Sequence, residues 1–91
     1  MIYRLVYTKK ALTDLECLDK KTAKRILDKI GYFCDKKNPL IHAKKLQNST
    51  WGTYRFRIGD YRAIFDVDKN GNLHILLILT IKHRKDVYRA A

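Results

Sequence analysis

The sequence predicts an α+β fold in which a helical hairpin packs on one face of an antiparallel sheet. Two observations predict it. Apolar residues recur every three or four positions between Lys9 and Cys34, which is the period of amphipathic helices. From Tyr54 to Val67 they alternate with polar residues, which is the period of strands with one buried face. The predicted order of elements is β-α-α-β-β-β with a short C-terminal tail.

The first half of the chain predicts one strand and two helices. Residues 2–7 are apolar and β-favouring, so they form the first strand. Residues 9–18 form the first helix, and Asp19 is a suitable N-cap for the second, which ends at Asn38-Pro39. The apolar stripe of the hairpin consists of Leu12, Leu15 and Leu18, then Ala23, Ile26, Leu27, Ile30, Phe33 and Cys34.

The second half predicts three strands joined by tight turns. Gly59-Asp60 separates the first two strands, and Asn70-Gly71 predicts a second hairpin because both residues tolerate positive φ. The run from Leu73 to Thr80 is almost wholly apolar, which is typical of a strand covered on both faces.

The length and charge of the chain limit the classes of protein to which it can belong. The 91 residues predict a single domain, 1–91, and 20 Lys and Arg against 9 Asp and Glu give a net charge of +11. This charge attracts polyanions, although solubility alone also explains it. No apolar run is long enough for a spanning helix, and the N-terminus lacks a secretory signal. We therefore expect a cytoplasmic protein that does not bind membranes.

Cys17 and Cys34 share no close-spaced metal motif with the histidines. We expect both to be buried small side chains rather than a disulfide or a zinc site. The residues thus predict no metal and no cofactor. His74, within the last strand, is interpreted as structural, and His42, in a loop, receives no role.

The predicted turns place arginines together on one face of the sheet. A two-residue turn at Gly59-Asp60 sets Arg57 opposite Arg62, with neighbouring strands about 4.8 Å apart. Like charges opposite each other are destabilising, whereas a bound phosphate would turn the repulsion into bidentate recognition. Arg55 lies on the same face, which the helices leave open. The second turn places Arg62 opposite Leu79 and His83 on this face.

The C-terminal tail adds residues that suit cleavage of an RNA phosphodiester. Arg84 and Tyr88 share a side whether the tail is helical or extended. His83 or Tyr88 could exchange protons with the 2′-hydroxyl and the leaving oxygen, while arginines stabilise the charge on phosphorus. A tyrosine could also stack on a base. An ordinary surface position is the alternative for His83.

Three segments resemble the RelE/ParE superfamily of type II toxin–antitoxin toxins, and the resemblance covers residues 3–89. The segments are Ala43-Lys44-Lys45-Leu46, Trp51 to Arg62, and His83-Arg84-Lys85-Asp86-Val87-Tyr88. The resemblance implies a RelE-like fold and a cytosolic toxin neutralised by a cognate antitoxin. RelE-type members cut mRNA in the ribosomal A site without a metal, whereas ParE-type members inhibit DNA gyrase. Operator DNA is bound only through the toxin–antitoxin complex.

Residue by residue, the resemblance implies a catalytic set and a phosphate-binding set. The catalytic set is Arg57, Arg62, His83, Arg84 and Tyr88, and the phosphate-binding set is Arg55, Lys44, Lys45 and Lys82. The best-known RelE enzyme has lysines at the positions of Arg55 and Arg57. Because arginine stays charged, we expect proton transfer to move to His83.

Three functions compete at this point. The first is a ribosome-dependent endoribonuclease, favoured by the tail. The second is a gyrase inhibitor that uses the same basic surface without chemistry. The third is a toxin that has lost catalysis and keeps antitoxin binding. The helix lysines Lys20, Lys21, Lys24 and Lys29 form either a solvated face or a contact surface for ribosomal RNA.

Overall fold

The computed structural model describes residues 2–35, 38–46 and 52–89, without the side chains of Ile2, Tyr88 and Arg89. The elements are β1 (Ile2–Tyr7), α1 (Lys9–Glu16), α2 (Lys20–Cys34), a 3-10 helix (Pro39–His42), β2 (Ala43–Lys45), β3 (Tyr54–Ile58), β4 (Tyr61–Asn70), β5 (Leu73–His83) and α3 (Arg84–Arg89). The sequence missed the short strand β2, and of the two conformations that it left open for the tail the structure has the helical one, α3.

The sheet has five strands in the order β1-β5-β4-β3-β2. Its hairpin-connected strands are antiparallel, but β1 pairs parallel with β5. The predicted α+β class is confirmed, whereas the predicted antiparallel sheet is wrong because the sheet is mixed. The helical hairpin leads from β1 at one edge of the sheet to β2 at the opposite edge, and β5 then returns beside β1.

Both helices begin at the capping residues that their sequences provide. The Thr8 side chain accepts a hydrogen bond from the Ala11 N–H (3.1 Å), and the Asp19 carboxylate accepts one from the Thr22 N–H (3.1 Å). The predicted cap at Asp19 is therefore confirmed. The first helix ends at Glu16, before the predicted end at residue 18.

The core lies between the helical hairpin and one face of the sheet. Phe56 and Phe65 stack on adjacent strands with ring centroids 4.3 Å apart, and α2 contributes Ile26 and Ile30, both fully buried. In α1 the prediction was partly wrong, because Leu12 is 48% exposed and its neighbour Ala11 is fully buried.

The turn between β4 and β5 differs from the predicted one. Asn70 pairs with Leu73, so the turn residues are Gly71 and Asn72 instead of Asn70 and Gly71. Gly71 has a φ of 62°, a left-handed conformation that glycine adopts at little cost. This difference moves the pairing of the two strands by two positions and keeps the face of each side chain unchanged.

A β-bulge moves the pairing once more. Leu79 is the extra residue in β5, and beyond it Arg62 lies opposite Lys82 instead of Leu79. Because successive side chains alternate between faces, the extra residue places Lys82 on the side of Arg62. His83, which pairs with Tyr61, moves to the other side, so its predicted place on the arginine face is wrong.

The bulge is held by the carboxylate of Asp14 in α1. This carboxylate accepts hydrogen bonds from the Thr80 hydroxyl and from the Ile81 N–H (3.0 Å), and Lys10 forms an ion pair with it. Burial acts to raise the pKa of Asp14, but the hydrogen bonds from these three residues outweigh burial and hold the pKa below its ordinary value. A residue of α1 therefore holds the segment of β5 that leads to His83.

The sheet face opposite the helices is partly covered, which contradicts the predicted open face. Ile64 on that face is fully buried. A Cβ on Gly52 would lie 2.7 Å from Ile64 Cγ2 and 2.9 Å from Leu79 Cδ1, so the chain before β3 lies directly on the sheet. The Thr53 N–H also donates to Asp66 Oδ1 (2.7 Å).

The two cysteines differ in exposure, and both are free. Burial, with a contribution from Asp35, raises the pKa of the half-buried Cys34 thiol to about 11, so the thiol stays protonated at neutral pH. Cys17 is exposed, so its predicted burial is wrong.

No helix in the part of the chain that the structure describes is long and apolar enough to cross a membrane.

Candidate functional site

The β3–β4 hairpin brings two of the predicted arginines together. Arg57 pairs directly with Arg62 across a two-residue turn, as predicted. Gly59 in this turn has a φ of 59°. The two side chains differ sharply in environment, because Arg57 is exposed and Arg62 is 2% exposed.

Arg62 anchors the turn that precedes it. Its Nη1 donates to the carbonyl oxygens of Gly59 and Tyr61, both at 2.9 Å, while its Nε is buried without a partner among the described residues. The negative ends of the two carbonyl dipoles offset the guanidinium charge beside Arg57. This geometry gives the paired arginines a structural explanation, and phosphate binding by Arg62 stays a prediction.

The same turn is joined to the C-terminal helix. The Arg84 N–H donates to the Asp60 carbonyl oxygen (2.7 Å), and Arg84 Nε lies 3.6 Å from Asp60 Oδ1. Helix α3 also contacts β4 and β5, and its Val87 is buried. The structure thus places Arg84 next to the turn that Arg62 anchors.

His83 lies between the end of β5 and the start of α3. Its ring meets the Tyr61 ring edge to face, with centroids 5.4 Å apart, and its Nδ1 accepts a hydrogen bond from the Lys85 N–H (3.3 Å). A nitrogen that accepts a hydrogen bond carries no proton, so the proton of the neutral ring is on Nε2. Nδ1 of His83 therefore caps the start of α3.

A basic pocket forms a second group of residues at the β2 edge of the sheet. His42, Lys44, Arg55 and Arg57 line this cavity, which has a volume of about 310 Å³. Lys44 pairs with Arg55, and His42, the last residue of the 3-10 helix, lines the same cavity as Arg57. The Arg57 side chain has no hydrogen bond or ion pair with any residue that the structure describes.

The remaining predicted residues lie outside the basic pocket. Lys45 pairs with Tyr54 and so projects to the side of β2 opposite Lys44. Lys82 is half-buried beside Arg62. The backbone of Tyr88 belongs to α3, but its side chain is outside the described residues, as is Trp51 of the resemblance motif.

Another basic surface runs along α2. A groove of about 710 Å³ is lined by Lys21, Thr22, Lys24, Arg25, Asp28, Lys29 and Tyr32. Lys24 is paired with Asp28 (2.9 Å), and Lys29 lies over the Tyr32 ring, 4.9 Å from its centroid. The Arg25 guanidinium reaches the β3–β4 turn, where a Cβ on Gly59 would lie 3.1 Å from Arg25 Nη2.

Sequence reasoning missed two residues of this region. The sequence assigns His42 no role, because it predicts neither the 3-10 helix that ends at this residue nor the strand β2 that follows it. Asp14 lies on a helix whose pattern contains no sign of the distant bulge that it holds. Only the tertiary structure brings Asp14 to β5.

The basic pocket has the chemical groups that suit a phosphodiester. Two guanidinium groups can each bind two phosphate oxygens, and the Lys44 ammonium adds a compact positive charge. The His42 imidazole has ring nitrogens that can accept or donate a proton. The pocket can therefore bind an anionic backbone and exchange a proton with it.

Comparisons with known proteins agree with this fold. Residues 5–88 match the family described as the ParE toxin of the type II toxin–antitoxin system, parDE. The toxin–antitoxin complex RelBE2 from Mycobacterium tuberculosis contains a chain 24% identical, with a TM-score of 0.71, covering 92% of this chain and 100% of that chain. The RelE–RelB complex from Pyrococcus horikoshii contains one 27% identical, with a TM-score of 0.64 and coverage of 92% and 97%. The YoeB/ParE toxin from Agrobacterium tumefaciens is 22% identical, with a TM-score of 0.65 and coverage of 88% and 97%.

No curated protein matches the sequence. The family match spans most of the chain, and the similar structures include a toxin named RelE and another named YoeB/ParE. The chain therefore belongs to the ParE toxin family of type II toxin–antitoxin systems and has the fold that RelE and ParE toxins share.

Proposed function

We propose that this toxin is a ribosome-dependent endoribonuclease that cuts mRNA in the A site, stops translation and needs no metal. The observation that carries the proposal is the basic pocket, in which Lys44, Arg55 and Arg57 share one sheet face beside an imidazole. Binding of a gyrase protein surface does not require a proton-transfer group beside clustered cations, whereas cleavage of RNA uses both.

The proposed chemistry divides the residues into two groups. Arg55, Arg57 and Lys44 hold the phosphodiester and stabilise the charge that builds on phosphorus. Arg62 and Arg84 hold the β3–β4 turn and α3 together, so they position Arg57 and the tail. An imidazole exchanges the proton of the 2′-hydroxyl, for which the sequence predicts His83.

We also propose that a cognate antitoxin covers this toxin, a single domain of residues 1–91 that acts in the cytoplasm. Support comes from the structures from Mycobacterium tuberculosis and Pyrococcus horikoshii, in which similar chains are in complex with antitoxins. The chain also exposes large apolar side chains that a folding-on-binding segment could bury. They are Val6, Leu12, Leu27, Tyr32 and Ile41. Operator DNA would be bound only through this complex.

Inhibition of DNA gyrase is the second candidate function. The family match favours it, because the matched family is described by its ParE toxin. The position of His83 also favours it, since the bulge separates this residue from the face of Arg57 and Nδ1 is engaged with α3. Gyrase inhibition would use the basic surfaces for docking and would need no proton transfer.

Two parallel assays distinguish the candidates. The purified chain is added to a translating extract, and the 5′ ends of the mRNA are mapped; the same preparation is added to a gyrase supercoiling reaction. The proposal expects new 5′ ends at A-site codons and unchanged supercoiling. Inhibited supercoiling with intact mRNA would establish the gyrase alternative instead.

A further inference from the structure

The histidine in the basic pocket is held against the core by one face of its ring. The His42 ring stacks on Phe33, with centroids 5.0 Å apart and an interplanar angle of 18°, and Phe33 in turn packs against Phe56 at 4.9 Å. His42 is exposed, and neither ring nitrogen has a hydrogen-bond partner among the residues that the structure describes. Phe33 therefore positions one face of the ring, and His42 lines the cavity that Arg55 and Arg57 also line.

The two histidines near the arginines are not equivalent. His83 uses Nδ1 to cap α3 and lies on the Tyr61 side of β5, away from the face of Arg57. His42 lines the same cavity as Arg55 and Arg57. A group that takes the proton of a 2′-hydroxyl must lie within hydrogen-bond reach of the sugar next to the bound phosphate. The position of His42 meets this requirement better than that of His83.

We propose that His42 is a catalytic residue, the proton acceptor for the 2′-hydroxyl of an RNA strand whose phosphate is bound by Arg55 and Arg57. This inference rests on the proposed endoribonuclease function. Lys44 is a poorer acceptor, because an ammonium group has no lone pair at neutral pH, whereas a neutral imidazole nitrogen does.

The step balances without any further cofactor. The 2′-hydroxyl proton passes to a ring nitrogen of His42 as the 2′-oxygen forms a bond to phosphorus. The bond between phosphorus and the 5′-oxygen breaks, and that oxygen takes a proton from water. The products are a 2′,3′-cyclic phosphate and a 5′-hydroxyl end, and the imidazolium returns its proton to solvent. Arg55 and Arg57 stabilise the additional negative charge during the step.

The test is single-turnover cleavage of mRNA on ribosomes by the full chain and three variants. His42→Phe keeps an aromatic ring on Phe33 but has no nitrogen, so folding is preserved. We expect its cleavage rate to fall by about 10²–10⁴-fold, with ribosome affinity unchanged within about twofold. His42→Ala should lose a similar factor and recover part of the rate in added imidazole. Glu16→Ala, at an exposed position at the end of α1, should cleave at the wild-type rate.

The outcomes separate this inference from the proposed function. Wild-type cleavage with an equally fast His42→Phe variant would overturn the role of His42 and leave the endoribonuclease intact. Equal losses of cleavage rate and ribosome affinity in His42→Phe would assign the residue to binding instead of catalysis. An inactive wild-type chain that inhibits gyrase would overturn both proposals.

Discussion

Individual side chains decide where the chemical groups of this toxin lie. Asp14 holds the bulge through the Thr80 hydroxyl and the Ile81 N–H, although it is distant from both in the sequence. Arg62 holds the β3–β4 turn through two carbonyl oxygens. Each of these two residues positions others, and each can be tested by its effect on stability.

Replacing Asp14 with Asn should destabilise the protein at pH 7 by about 1–3 kcal/mol, because hydrogen bonds to a charged, mostly buried group are lost. The folded-state pKa of Asp14 lies below its ordinary value of 3.8. Its contribution is therefore complete above that value and disappears as the pH falls through the folded-state pKa. Chemical denaturation between pH 7 and pH 3 should show this loss in the wild type only.

Asp28→Asn is the matched control, because Asp28 is also paired with a lysine four residues earlier but has a side chain 66% exposed. We expect a change below about 0.5 kcal/mol for this exposed pair. Parallel pH profiles for the wild type and Asp14→Asn would contradict the assigned role.

Mutation of the two paired arginines should affect stability and cleavage differently. Arg57→Ala removes an exposed group, so the free energy of unfolding should change by no more than about 0.5 kcal/mol, while mRNA cleavage falls. Arg62→Ala removes a buried anchor and should cost about 1.5–3 kcal/mol. Urea denaturation measures the free energy of unfolding of both variants. The rate of mRNA cleavage is measured under conditions well below the unfolding midpoint. A destabilised Arg57→Ala protein would contradict this division.

At the scale of elements, the helices and the segment before β3 cover opposite faces of the same sheet. Gly52 allows this segment to approach Ile64 and Leu79 closely, whereas Gly31 lies in α2 with no atom within 4 Å of an added Cβ. The two glycines therefore have different physical roles.

Alanine at these two positions should have opposite effects. Gly31→Ala should stabilise the protein by about 0.5–1 kcal/mol, because it reduces the freedom of the unfolded chain within a helix. Gly52→Ala should destabilise it by about 1–3 kcal/mol, because the new Cβ overlaps two side chains. Thermal unfolding of both variants measures the difference. A Gly52→Ala protein that is at least as stable as the wild type would show that the segment does not pack on the sheet.

At the scale of the whole molecule, part of the net charge of +11 lies on two separate basic surfaces. The basic pocket lies at the β2 edge of the sheet, and the lysines of the second surface line the groove along α2. We expect the pocket to support the reaction and the groove to support attraction to ribosomal RNA.

Replacing Lys21 and Lys29 with Gln should weaken ribosome binding and lower its salt dependence, since each phosphate contact contributes about 0.7–0.9 to the slope of log affinity against log salt concentration. The rate of cleavage on saturating ribosomes should change little. Binding measured from 50 to 200 mM salt tests this expectation. Lys69→Gln, at an exposed position near the other end of β4, is the control and should leave the slope unchanged. An unchanged slope in the double variant would identify the groove lysines as a solvated face.

Local patterns determined most of the fold. The capping by Asp19, the turn at Gly59 and the pairing of Arg57 with Arg62 each depend on residues close together in the sequence, and each prediction is confirmed. The helix period and the strand alternation likewise determined the α+β class. The basic composition determined that the molecule attracts polyanions.

Contacts between distant segments decided the rest, because no local pattern reports them. The bulge held by Asp14 moved His83 off the face of Arg57, and the packing of the 3-10 helix beside β3 placed His42 in the cavity that this arginine lines. One inserted residue moves every side chain beyond it to the other face of the sheet. The alternation of faces read from the sequence therefore could not be extended past the bulge. The sequence thus determined which chemical groups this toxin carries, and the tertiary structure decided which of them meet.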